Sequence, residues 1–142
     1  MTLLVATFSA LALSAAFSGT IQDGHSVTAT ATPGGVALPS GVYAQRGEHD
    51  GVAQPFGAYH AMRKVRVDLK AGTISGDVLI APSSGGNLHF HVTGQVHPSA
   101  DGFDSAETWT GYDGGKGSAA ATVHTSLATG AFGGTFSGSL GN

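Results

Sequence analysis

The stretch "RKVRVDLKAGTISGDVLI", residues 63–80, constrains the fold more than any other part of the chain. Val65, Val67 and Leu69 fall on one side of its alternation, and Lys64, Arg66, Asp68 and Lys70 on the other. A period of two marks a half-buried β-strand, because successive side chains of a strand point to opposite faces. Ala71-Gly72 then turns the chain, and Gly72 can take the positive φ of a short hairpin loop. Ile74, Gly76, Val78 and Ile80 carry the apolar face back along the return strand. Arg63, Lys64, Arg66 and Lys70 are four of the chain's six basic residues. They read as a solvated strand face, or as charge that protects a sheet edge.

The same period recurs in "HSVTATAT" (25–32, with Val27, Ala29 and Ala31 on one side), "NLHFHVTGQV" (87–96), a segment around 105–112, "SAAATVHTSLA" (118–128) and "AFGGTFSGSL" (131–140). Residues 45–60, "QRGEHDGVAQPFGAYH", show no apolar period and contain Pro55 and three glycines, so they are expected to form a long exposed loop. Strands at spacings of about ten residues, joined by Gly-rich turns, predict an all-β fold: a single antiparallel β-barrel or β-sandwich. With 142 residues the chain holds one such domain. The expected organisation is an apolar N-terminal segment over residues 1–20 and a β domain over 21–142.

"VRVDLKAGTISGDVLI" (65–80), "GNLHFHVTGQV" (86–96) and "GAFGGTFSGSL" (130–140) together resemble the repeating strands of transferrin-binding-protein-B-like β-barrels. The resemblance covers about residues 65–140 and implies a barrel. It also implies a secreted or surface-anchored module that binds haem, a metal or a protein ligand.

The first eighteen residues, "MTLLVATFSALALSAAFS", contain no charge. As a helix they would be about 27 Å long, marginal for a hydrocarbon core of about 30 Å. Three readings stay open. One is a signal or anchor with a cleavage site before Gly19, touching a membrane only transiently. Another is an apolar helix packed in an assembly, similar in layout to type IV pilins, with Val5 near the place of that family's early glutamate. The last is a strand, because "FSGTI" (17–21) recurs as "ISGDV" (74–78) and "FSGSL" (136–140). If a neighbouring copy buries this segment, Leu3, Leu4, Val5, Phe8, Leu11, Leu13 and Phe17 are the assembly residues.

Charge narrows the function classes. Six basic and nine acidic residues give a net charge of −3, which is no footprint for nucleic acid. Charged residues make up 11% of the chain, against about 25% in an ordinary domain, so little repulsion opposes self-association. Cysteine is absent, which removes disulfides, thiolate metal sites and cysteine nucleophiles. The leading expectation is a non-enzymatic structural subunit, secreted or at the cell surface. It would assemble as a homo-oligomer or polymer, such as a filament. A surface-anchored ligand-binding barrel is the alternative.

His89 and His91 are the best candidates for a site. Residues i and i+2 of a strand project from one face about 6.6 Å apart, close enough to share a metal ion. His97 lies six residues beyond His91, about 20 Å along an extended strand, so His124 on another strand is the better third ligand. Leu88, Phe90 and Val92 form the apolar side of the strand, so the histidines are expected to face outward. No cofactor is required on this reading, and a divalent ion bound there would sit on the surface. Asp101, Asp104 and Glu107 cluster with no histidine close in sequence, and the glycines beside Asp101 and Asp113 offer at most a loop for calcium without regular ligand spacing. Trp109 and Tyr112 fall on opposite faces of one strand.

Overall fold

Alternation carries almost every described residue into a strand. The computed structural model describes residues 15–31, 41–111 and 117–141. Eight strands follow one another in sequence order: β1 (Ala15–Ala31), β2 (Val42–Gln54), β3 (Gly57–Asp68), β4 (Thr73–Pro82), β5 (Leu88–Pro98), β6 (Gly102–Gly111), β7 (Gly117–Ser126) and β8 (Phe132–Leu140). Each pairs antiparallel with the next, and β8 closes on β1, so the sheet is a barrel and not a sandwich. Closure removes the free edges that an open sheet would expose. Eight strands enclose a lumen that side chains can fill. The hairpin expected at 63–80 forms β3 and β4, with Gly72 at φ 74° in the turn.

The segment expected to be a loop at 45–60 is instead most of β2 and the start of β3, paired from Val42↔Asp68 to Ala53↔Gly57 around a tight turn at Pro55 and Phe56. A period of two is present there, but its inward positions are Gln45, Gly47, His49, Gly51 and Ala53. Those residue types carry little hydropathy, so the alternation was hidden.

At the N-terminus, β1 crosses the boundary expected at residue 20. The strand reading describes Ala15–Ile21, and the first and last copies of the repeat pair with each other: Phe17↔Gly138, Ser18↔Ser137 and Gly19↔Phe136. Phe136 lies over Gly19, whereas Gly138 packs against the backbone of Ser118 and Ala119 on β7. A Cβ on Gly19 would come within 2.7 Å of the Phe136 ring, so glycine is what lets that ring lie flat against the strand. Phe17 is fully buried inside its own barrel, 4.8 Å from Phe136 and 5.4 Å from Phe90 between ring centroids. The expectation that a neighbouring copy covers Phe17 is therefore corrected. Leu3, Leu4, Val5, Phe8, Leu11 and Leu13, the facing of Val27, Ala29 and Ala31, and the Tyr112–Lys116 segment lie outside the described residues.

Two apolar clusters fill the lumen. The larger gathers Phe17, Tyr59, Phe90, Trp109, Phe136 and their neighbours, and the smaller gathers Tyr43, Val65, Val67, Ile74, Val96 and Phe103. Between them runs a layer of buried polar side chains: Gln45, His49, Arg63, Ser105 and Glu107. On β3 the order along the inner face is Val65, Arg63, Ala61, and on β6 it is Phe103, Ser105, Glu107, Trp109, so the layer separates the clusters on both strands.

Candidate functional site

The polar layer is built on the parity of two strands. Arg63 shares its face with Val65 and Val67, and Glu107 shares its face with Phe103 and Trp109, so both charges point inward. They meet across the lumen in a two-pronged pair, Nη1 to Oε1 at 2.8 Å and Nη2 to Oε2 at 2.5 Å. Ser105 Oγ donates to Oε2 at 2.5 Å and Trp109 Nε1 donates to Oε1 at 3.0 Å, giving the carboxylate four donors. Burial pushes the Glu107 carboxyl up, but Arg63, Ser105 and Trp109 outweigh it and hold the group below the usual carboxylate range. The guanidinium also lies 5.7 Å from the centroid of the Phe132 ring. Both expectations made for these residues change. Arg63 is not part of a solvated face, and Glu107 leaves its aspartate neighbours for the core.

His49 occupies the same layer without partners. It is fully buried, edge-on to Tyr59 and Phe132, and neither ring nitrogen has a hydrogen-bond partner. Burial first, then the Arg63 charge, pushes its pKa down to about 3, so it is neutral at ordinary pH. Tyr59 donates to the Thr20 carbonyl at 2.7 Å, and burial with the nearby Asp50 charge raises its phenol above the ordinary range.

The outer wall holds five of the other histidines beside carboxylates. His60 lies 2.8 Å from Asp50 through Nδ1 and 3.2 Å from Glu48 through Nε2, while His25 reaches Glu48 at 3.8 Å. Hydrogen bonding to Asp50 raises the His60 pKa against the opposing effect of burial, and Glu48 adds to the rise. His89 and His91 face outward as expected and flank Asp77, at 3.8 and 3.7 Å. His124 lies 2.7 Å from Asp104 and 3.1 Å from Asp101, and these contacts, Asp104 first, raise its pKa.

The three proposed metal ligands do not converge. His91 is level with Thr110 of β6, whereas His124 is level with Asp104 of the same strand. Those positions are six residues apart, about 20 Å along the strand. His124 instead supplies the histidine that Asp101 and Asp104 lacked in sequence. Among the described residues, no group of three or more His, Asp or Glu side chains is disposed to hold a metal ion.

One basic patch lies on the wall beside the Asp77 pairs. Arg46 lies directly opposite Lys64, and Arg66 is two positions along β3. Together with Ala44, Gln45, Val65, Ser75, Gly76 and one acidic residue, Asp77, they line an open groove of about 530 Å³. Lys64 and Arg66 belong to the basic run legible at 63–70, whereas Arg46 joins them only through the register of β2 against β3.

No protein-family model, curated protein or solved structure matches this chain.

Proposed function

We propose that this chain is a non-enzymatic binding module, secreted or displayed at a cell surface, that engages its partner through the outer wall of the barrel. The observation that carries this reading is the filled lumen: Phe17, Phe90, Trp109 and the Arg63–Glu107 pair are buried to 3% exposure or less. A ligand taken inside would have to displace packed aromatic rings or break a buried ion pair, which costs several kcal/mol. The Ser105 hydroxyl and the Glu107 carboxylate are buried in the same layer and bonded to each other, which supports a reading without catalysis at that pair. The outer wall offers accessible charge in place of that.

Trp109 is the chain's single tryptophan and reports on the lumen directly. Titration with an apolar dye or with haem should leave its emission unchanged. Saturable quenching of Trp109 at one ligand per chain would sink the reading and place the ligand inside.

A self-assembling subunit is a second reading, favoured by the wall formed by β7, β8 and the start of β1. Its outward residues include Ser118, Ala120, Thr122, Thr135, Ser137 and Ser18, and β8 carries no charge. Sedimentation across a concentration range separates the readings: a monomer throughout removes the assembly.

A further inference from the structure

The outer face of β2, β3 and β4 contains both signs of charge, and its carboxylates are engaged by histidines or backbone N–H groups; one of them, Asp77, lines the same groove as three cations. Glu48 is held by His60 and His25, Asp50 by His60, and Asp77 by His89 and His91. Asp68 accepts the backbone N–H groups of Lys70 and Ala71 in the hairpin turn. Among the described residues Arg46, Lys64 and Arg66 have no carboxylate partner, although Glu48 lies two positions from Arg46 and Asp77 lies opposite Lys64. Arg46 and Lys64 are moreover a directly opposed like-charge pair, an arrangement that costs stability in a sheet.

We propose that this groove binds a polyanionic glycan, with Arg46, Lys64 and Arg66 contacting its sulfate or carboxylate groups. The inference rests on the outer-wall reading above and names the ligand of that wall. Register sets the cation spacing at about 4.8 Å across the strands and about 6.6 Å along β3, suited to several anionic groups on one flexible chain. Arginine forks match the planar or tetrahedral oxygens of carboxylate and sulfate, and the exposed Ser75 hydroxyl is available to a sugar hydroxyl.

The fold disfavours other polyanions. A closed barrel has no strand edge, so an acidic peptide gains no backbone ladder here. Nucleic acid gains no phenylalanine, tyrosine or tryptophan platform on the described strands, because Phe17, Tyr43, Tyr59, Phe90, Phe103, Trp109, Phe132 and Phe136 all point into the lumen.

The test is calorimetric titration of the full chain at low and physiological salt with four probes: heparin oligosaccharide, hyaluronan oligosaccharide, neutral dextran and poly-glutamate. The expected result is salt-dependent binding of heparin, hyaluronan or both, and none of dextran. Heparin binding without hyaluronan assigns sulfate as the group recognised, and equal binding assigns charge alone. Each of Arg46→Ser, Lys64→Ser and Arg66→Ser should weaken binding by roughly 10-fold, and the triple variant should abolish it. Lys70→Ser, in the hairpin turn, should leave it unchanged. Unaltered Trp109 emission and thermal midpoint establish that the variants fold. Three results would overturn the glycan site: full binding by a folded triple variant, tighter binding of poly-glutamate than of either glycan, or no binding of either glycan. Quenching of Trp109 by the bound ligand would instead overturn the outer-wall reading itself.

Discussion

The lumen and the outer wall of this barrel use the same residue types to opposite effect. Inside, Arg63 and Glu107 form one pair with every carboxylate lone pair engaged, and His49 sits neutral beside it. Outside, histidines lean on aspartate and glutamate in water, and their pKa values, where shifted, rise instead of falling. Position on the strand decides the role. An inward charge must be satisfied or neutralised, because the lumen cannot solvate it, whereas an outward charge remains available to a partner.

Acid should expose this contrast most strongly. His49 has a folded pKa of about 3 against an ordinary 6.5, so between those values the unfolded chain binds a proton that the barrel refuses. Stability is then whole above pH 6.5 and falls as the pH drops, by at most on the order of 5 kcal/mol. Glu107 acts in the same direction: its lowered pKa contributes stability above the ordinary carboxylate value, and that contribution is lost as pH falls through the folded value. Urea denaturation of His49→Phe should show a shallower pH dependence between 6.5 and 3 than the parent. An unchanged slope would mean that His49 is solvated.

The buried pair comes next. Glu107→Ala should cost about 3–5 kcal/mol by stranding the guanidinium, while Arg63→Met with Glu107→Leu should recover most of that loss. A single variant that unfolds at the parent's denaturant midpoint would erase the distinction between the two regions.

Phe17→Ala should cost about 3 kcal/mol in an isolated chain, because the ring packs against Phe136 and Phe90 of its own barrel. Loss of stability that appears only in an assembled form would restore the reading in which a neighbour buries this position.

The outer pairs should give the smallest effects. His124→Asn should change stability by no more than about 1 kcal/mol. Here the direction reverses: the folded pKa of His124 is raised, so its contribution is present below pH 6.5 and is lost as pH rises through the folded value. Proton NMR of the ring should place the His124 midpoint above 6.5, and a midpoint below it would break the pairing with Asp104 and Asp101.

The alternation of 63–80, 87–96 and 118–140 made β structure legible because those strands place aliphatic or aromatic residues on one face. The same rule was blind over 45–60, where the inward positions are glycine, histidine and glutamine. Parity could also have placed Arg63 and Glu107 in the core, since each shares a face with valine or tryptophan. What hid them was the expectation that charge faces water, which fails when an opposite charge waits across a lumen. His89 and His91 were placed on the correct face but given the wrong companion, because sequence carries no register between β5 and β7.

Sequence by itself determined β3 to β8, most of their facing and the low charge of the whole, because the strands and their facing depend on neighbours one or two positions away. Closure into a barrel, the pairing of Phe17 with Gly138 and of Gly19 with Phe136, and the Arg63–Glu107 strut were decided by the tertiary structure alone. The reason is physical. Which strand meets which, and at what register, follows from filling one lumen with all eight inner faces together, and no local stretch contains that volume.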